Sequence, residues 1–188
     1  MVGMDAKVQV TAPAQVLARK AISLRASRLE DAAAWLAFLQ ALDDETGFML
    51  FEPGERAASV ARCEDAIRRI HAVSGAMLLL LWNAAGHVVG YVKGDVVALQ
   101  RKAHVMVLSG AVHSGYRGGT GRAILDLFTE QVGKQGVIKR LEAVVMSNNV
   151  RMLVVALSAG FSVEGVRKNA VRLKTGMIDE YVIVKHFD

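Results

Sequence analysis

The sequence is poor in staples and in membrane-length apolar runs. It has one cysteine and two prolines in 188 residues, so no internal disulfide can form and the fold has to rest on its core. That length suits one domain large enough to bury such a core. Aromatic residues make up only 6% of the chain, and the basic residues alternate with acidic ones, as in Arg62-Cys63-Glu64-Asp65. The basic stripe with interleaved rings that grips single-stranded nucleic acid is therefore missing despite a formal net charge of +5, and nucleic acid is not expected as a partner. The longest apolar run, residues 76–82, is too short to cross a bilayer, and no secretory pattern opens the chain. A cytoplasmic protein with no membrane partner and no metal is expected. Cys63 falls on the apolar stripe Val60, Cys63, Ile67, Ile70, which makes it a buried thiol rather than a nucleophile.

What the sequence does have is residues 105–125, VMVLSGAVHSGYRGGTGRAIL. An apolar run breaks at a cluster of glycines and resumes with helical spacing. Strand, Gly-rich turn and helix in that order build an anion site, because glycines permit close approach and the free N–H groups of a helix start point outward. Two phosphate motifs fit poorly. A P-loop needs Gly-Lys-Ser/Thr, whereas Gly121 is followed by Arg122 and Ala123. A dinucleotide fingerprint belongs at the start of a βαβ unit, and the region before this loop is rich in strands instead.

Residues 1–20 show no period and are expected to be an arm or a short extra element. A strand over 21–25 precedes Ser27-Arg28-Leu29-Glu30, which reads as a capping box. The next helix carries Trp35, Phe38, Leu39 and Leu42 on one face, with Gly47 as its stop. Residues 43–54 form an acidic, phenylalanine-bearing loop, read either as a plain connector or as a loop that attracts an ammonium group by charge and ring quadrupole. A helix over 56–72 follows. Residues 76–82, 87–97 and 102–112 read as a meander of strands, so the sheet is at least half antiparallel. A helix then runs from the glycines to residues 133–136, followed by a strand over 140–146. Asn149 caps a helix over 150–158 that Gly160 ends, and strands over 161–172 and 177–185 close the chain.

Tyr116-Arg117-Gly118-Gly119-Thr120-Gly121-Arg122-Ala123 resembles the acyl-CoA pyrophosphate loop of the GNAT N-acetyltransferase superfamily, whose pattern is Gln/Arg-x-x-Gly-x-Gly/Ala. The chain has one residue fewer between Arg117 and the last glycine than the usual spacing. Anchoring on Gly119 and Gly121 keeps both close-approach glycines and puts Tyr116 at the Gln/Arg position. Asn149, Arg151, Ala159-Gly160-Phe161, Glu164-Gly165 and Asp179-Glu180 resemble the second half of the superfamily, and Glu45-Thr46, Arg101 and His104 resemble a bacterial subgroup.

The resemblance implies an α+β fold: a GNAT-like acyl-CoA N-acyltransferase domain over 21–188 with a central mixed, largely antiparallel sheet flanked by about four helices. It implies an enzyme that transfers an acetyl group directly from acetyl-CoA to a primary amine of a small molecule or a protein. By resemblance, Gly118, Gly119, Thr120, Gly121, Arg122 and Ala123, with Arg117, hold the pyrophosphate. Ala111 and Val112 lie where the pantetheine pairs with a strand edge, and Asn149 adds a side-chain hydrogen bond. Glu45 is the candidate general base, with Glu52 and His104 behind it. A tyrosine usually stands four residues before the Gly-Phe glycine to protonate the departing sulfur, and here that position is Ala156. The alternative is a catalytically weak acyl-CoA-binding sensor. A homodimer is compatible with the sequence.

Overall fold

The computed structural model describes residues 12–56 and 59–187. Among these residues, five α-helices flank one seven-stranded mixed sheet of order β1-β2-β3-β4-β5-β7-β6. Strands β1 (Ser23–Ala26), β2 (Met77–Trp82), β3 (Val88–Val96) and β4 (Val105–Val112) pair antiparallel in succession. The loop between β2 and β3 is tight because Asn83 Oδ1 accepts the N–H groups of Ala85 and His87. Strand β5 (Arg140–Met146) lies parallel to β4, and β7 (Gly176–His186) pairs antiparallel with both β5 and the outer strand β6 (Ser162–Leu173).

Helices cover the two faces unequally. On one face, α1 (Ala12–Arg19), α4 (Thr120–Gln135) and α5 (Val150–Ser158) contribute to a core in which Phe128, Val132, Met106, Leu141 and Ile183 are buried. On the other, α2 (Ala32–Glu45) and α3 (Val60–Ala72) bury Trp35, Phe38, Leu42 and Ile67 over β2 and β3. Tyr91 stands edge-on to Trp35 and Phe38 at 6.1 and 6.2 Å. Each large apolar side chain fully withdrawn from water contributes roughly 1.5–3 kcal/mol before the entropy of ordering is subtracted. Because α2 and α3 serve β2 and β3, this face leaves Val107 and Ser109 of β4 and Val144 of β5 exposed.

The apolar periods place the elements well, and the differences have local causes. The capping acceptor before α2 is Asp31, not Glu30. Its Oδ2 takes the Arg28 N–H at 2.7 Å while the Arg25 guanidinium holds both of its oxygens at 2.7 Å. Ser27 is buried and faces His71 Nε2 at 3.3 Å. Helix α3 starts four residues later than expected, where Ser59 Oγ accepts the Arg62 N–H, and Val60 is exposed off its stripe. Within the expected arm, residues 12–19 form α1, anchored by the buried Leu17; residues 1–11 lie outside the described residues.

Candidate functional site

The parallel junction of β4 with β5 is short. Only Val105, Met106 and Val107 pair across it, with Arg140, Leu141 and Glu142, and beyond them the strands diverge. The rest of β4 keeps its partner β3 on one side and has an open edge on the other. Backbone polarity alternates along a strand, and the N–H of His113 binds Val89 O on the β3 side. The N–H groups of Leu108, Gly110 and Val112 therefore face the open side, while those of Ser109 and Ala111 face β3. Gly110 cannot carry a side chain here, since a Cβ would lie 2.8 Å from the Tyr91 carbonyl oxygen.

The open edge leads into the glycine loop. A single 3₁₀ turn, Ser114–Tyr116, follows β4 and is held by the hydrogen bond from Asn83 Nδ2 to the Tyr116 hydroxyl at 2.8 Å. Gly118 and Gly119 then take φ of 74° and 89°, the left-handed region that L side chains avoid, and α4 begins at Thr120. Nothing lies within 4 Å of a Cβ built on Gly121, so the space beside the first turn is empty. The hydroxyl of Thr120 is fully buried and has no hydrogen-bond partner. Outward N–H groups, an orphaned hydroxyl and free space at a helix start fit a diphosphate.

The arginines of this loop are already engaged. Arg117 Nη2 donates to Glu45 Oε1 at 2.9 Å, and Arg122 Nε holds both oxygens of Asp126 at 2.7–2.8 Å. Glu45, the candidate general base, is held in place by its neighbours. Its Oε1 also accepts the Ser114 N–H at 2.8 Å, and its buried Oε2 lies 3.0 Å from His113 Nε2, outside hydrogen-bond geometry. Glu52, on the loop after α2, is exposed and 3.8 Å from Lys174 Nζ at the tip of the β6–β7 hairpin. His104 sits at the start of β4, where its carbonyl accepts the N–H groups of Lys139 and Arg140, roughly 25 Å along the strand from the glycine loop. Arg101 is at the same far end, in the turn Gln100–Lys102.

Asn149 caps α5 through Oδ1, which accepts the Met152 N–H at 3.2 Å. Ala156, at the position of the usual tyrosine, is completely buried in the core. Of the strand end expected to carry the pantetheine, residues 110–112, Gly110 and Val112 face the open side and Ala111 faces β3. On the helix-poor face, burial pushes the Tyr91 phenol above its usual range, with Ser109 acting in the opposite sense. Glu142 and Glu180 lie on the same face, each near an arginine, Arg140 and Arg167. Among the described residues, no group of three or more His, Cys, Asp or Glu side chains is placed to hold a metal ion, and no helix is long and apolar enough to cross a membrane.

A wedge between parallel strands, opening onto a glycine loop at a helix start, defines an acyl-CoA-type fold. The chain belongs to the GNAT acetyltransferase family: the family model described as Acetyltransferase (GNAT) domain matches residues 24–182. Similar solved structures include an acetyltransferase of the GNAT family from Streptococcus pneumoniae, with TM-score 0.83 and 22% identity, covering 89% of this chain and 99% of that one. A ribosomal-protein-alanine N-acetyltransferase from Brucella melitensis has TM-score 0.75 and 22% identity, covering 88% and 99%. A GNAT superfamily phosphinothricin acetyltransferase from Sinorhizobium meliloti, in complex with acetyl-CoA, has TM-score 0.77 and 16% identity, covering 89% of each chain. No curated protein matches the chain significantly.

Proposed function

We propose that the protein is an acetyl-CoA-dependent N-acetyltransferase that acts on a primary amine by direct attack within a ternary complex. The observation that carries this reading is the open edge of β4 beyond Val107, continuous with the glycine loop at the start of α4. Amides of a pantetheine arm match the outward N–H and C=O groups of Leu108, Gly110 and Val112 as a neighbouring strand would. The first-turn N–H groups of Gly121 and Arg122, with the helix dipole, suit the pyrophosphate. Asn149 Nδ2, left over from capping, is a donor at the other lip of the wedge.

Acetyl-CoA supplies an acyl group on a good leaving thiolate. The chain's part is positional and electrostatic. A β4 N–H polarises the thioester carbonyl as charge builds on its oxygen. The acceptor enters over Val107, Ser109 and Val144, the stretch of sheet that α2 and α3 leave bare, between the 46–56 loop and the β6–β7 hairpin. The amine nitrogen bonds to the carbonyl carbon, the C–S bond breaks, and the proton lost by the ammonium leaves through this solvent-facing side.

A slow, chiefly acyl-CoA-binding protein is the second reading, and one observation favours it. Ala156 is buried in the core, so that position offers no phenol to protonate the sulfur. Such an acid contributes roughly 10²–10⁴ in rate. Both readings meet one experiment: release of CoA thiol with a panel of polyamines, amino acids, aminoglycosides and lysine peptides, beside calorimetric titration of CoA. Binding with turnover supports the transferase, binding without turnover the sensor. A folded protein that binds no CoA rejects both.

A further inference from the structure

Lys20 stands in the turn after α1, outside the residues that the family model matches. Its Nζ nevertheless donates to the carbonyl of Arg117, 97 residues away, and lies 3.4 Å from where a Cβ on Gly118 would be. The ammonium thus rests on the glycine loop. Its place is fixed by the fold: Lys20 and Ile22 both donate their N–H groups to Leu17 O, Leu17 and Ile22 are buried in the core, and Val16 lies 3.5 Å from the position of a Cβ on Gly119.

The charges of this corner single Lys20 out. Arg117 is neutralised by Glu45 and Arg122 by Asp126. Among the described residues, Lys20 forms no ion pair, and the partner of its ammonium is a neutral carbonyl. An ammonium carries three donors, so the bond to Arg117 leaves two for a ligand. A part-buried cation with no counter-ion among the described residues, over a loop whose N–H groups point outward, favours an anion with several acceptor oxygens. The loop is also one residue shorter than the usual spacing of the family pattern.

We infer that Lys20 is a direct ligand of the CoA pyrophosphate, contributed by the turn after α1 from outside the residues that the family model matches. The inference rests on the acyl-CoA reading above. The test is calorimetric titration of CoA and of dephospho-CoA into wild type, Lys20→Met and Lys20→Arg, at low and at high salt. Lys20→Met keeps the apolar stem and should weaken both ligands alike by about tenfold or more, with a shallower salt dependence than wild type, since one charge contact is gone. Lys20→Arg should stay within about threefold of wild type. Unaltered melting temperatures for the ligand-free variants separate a lost contact from a loosened loop.

A wild type that binds no CoA rejects the acyl-CoA reading itself. If wild type binds and Lys20→Met binds equally well, only the role of Lys20 is rejected. A loss for CoA but not for dephospho-CoA moves Lys20 to the 3′-phosphate and overturns the assignment to the pyrophosphate. A loss independent of salt, together with a lowered melting temperature, makes Lys20 a prop of the loop and overturns the inference as well.

Discussion

Glu45 at the end of α2 and Arg117 at the mouth of the glycine loop are 72 residues apart in sequence and joined by a 2.9 Å hydrogen bond between Oε1 and Nη2. With the Ser114 N–H on the same oxygen, this carboxylate fastens the end of α2 to the glycine loop.

An anchor and a base respond differently to substitution. Glu45→Gln keeps an oxygen for Ser114 and Arg117, and should leave kcat within about threefold of wild type and the pH profile unmoved. Glu45→Ala removes both bonds and should weaken CoA binding about tenfold, the equivalent of ~1.4 kcal/mol. Steady-state kinetics across pH, with calorimetry, decide. A fall of roughly 10² or more in kcat for Glu45→Gln would make Glu45 the base.

Gly119 and Gly121 should separate strain from obstruction. At Gly119, φ of 89° makes any Cβ strained, so Gly119→Val should lower thermal stability and CoA affinity together. Gly121 is helical with open space around it, so Gly121→Val should fold with little change in melting temperature yet bind CoA at least tenfold more weakly. Full CoA affinity in a folded Gly121→Val protein would mean that the phosphates do not approach the first turn of α4.

The Arg25–Asp31 pair should show in the acid limb of stability. Burial pushes the Asp31 carboxyl up, but the Arg25 guanidinium and the Arg28 amide outweigh it and hold it below the usual carboxylate range. A depressed folded value means that the contribution is fully present above the unfolded value of about 4 and is lost as pH falls through the folded one. Asp31→Asn should therefore cost roughly 1–3 kcal/mol at neutral pH, and its deficit should shrink below about pH 4. Denaturant titrations of both proteins at pH 7 and pH 3 measure this. An equal deficit at both pH values would sink the assignment.

Most of the fold was legible because the local signals are strong. Asn149 and Gly160 bracket α5 at the residues expected, and the 3.6-residue stripe of α2 is the one the core buries. What resisted reading depends on contacts distant in sequence. Glu45 looked available because nothing near it in the chain pairs with it; Arg117 and His113 reach it only once β4 is placed beside α2. His104 stands just before the central strand, as read, and the length of β4 separates it from the glycine loop. Ala156 was recognised as a missing phenol, whereas only the packed core shows that the site has no room for one without displacing its neighbours. Lys20 was invisible because α1 carries no motif at all.

The three-residue seam between β4 and β5 has a mechanical meaning. Met106 and Leu141, buried at its centre, hold two plates of sheet together at one end only, four strands on one side and three on the other. A pantetheine arm laid in the gap, as proposed above, would splint the rest of the joint.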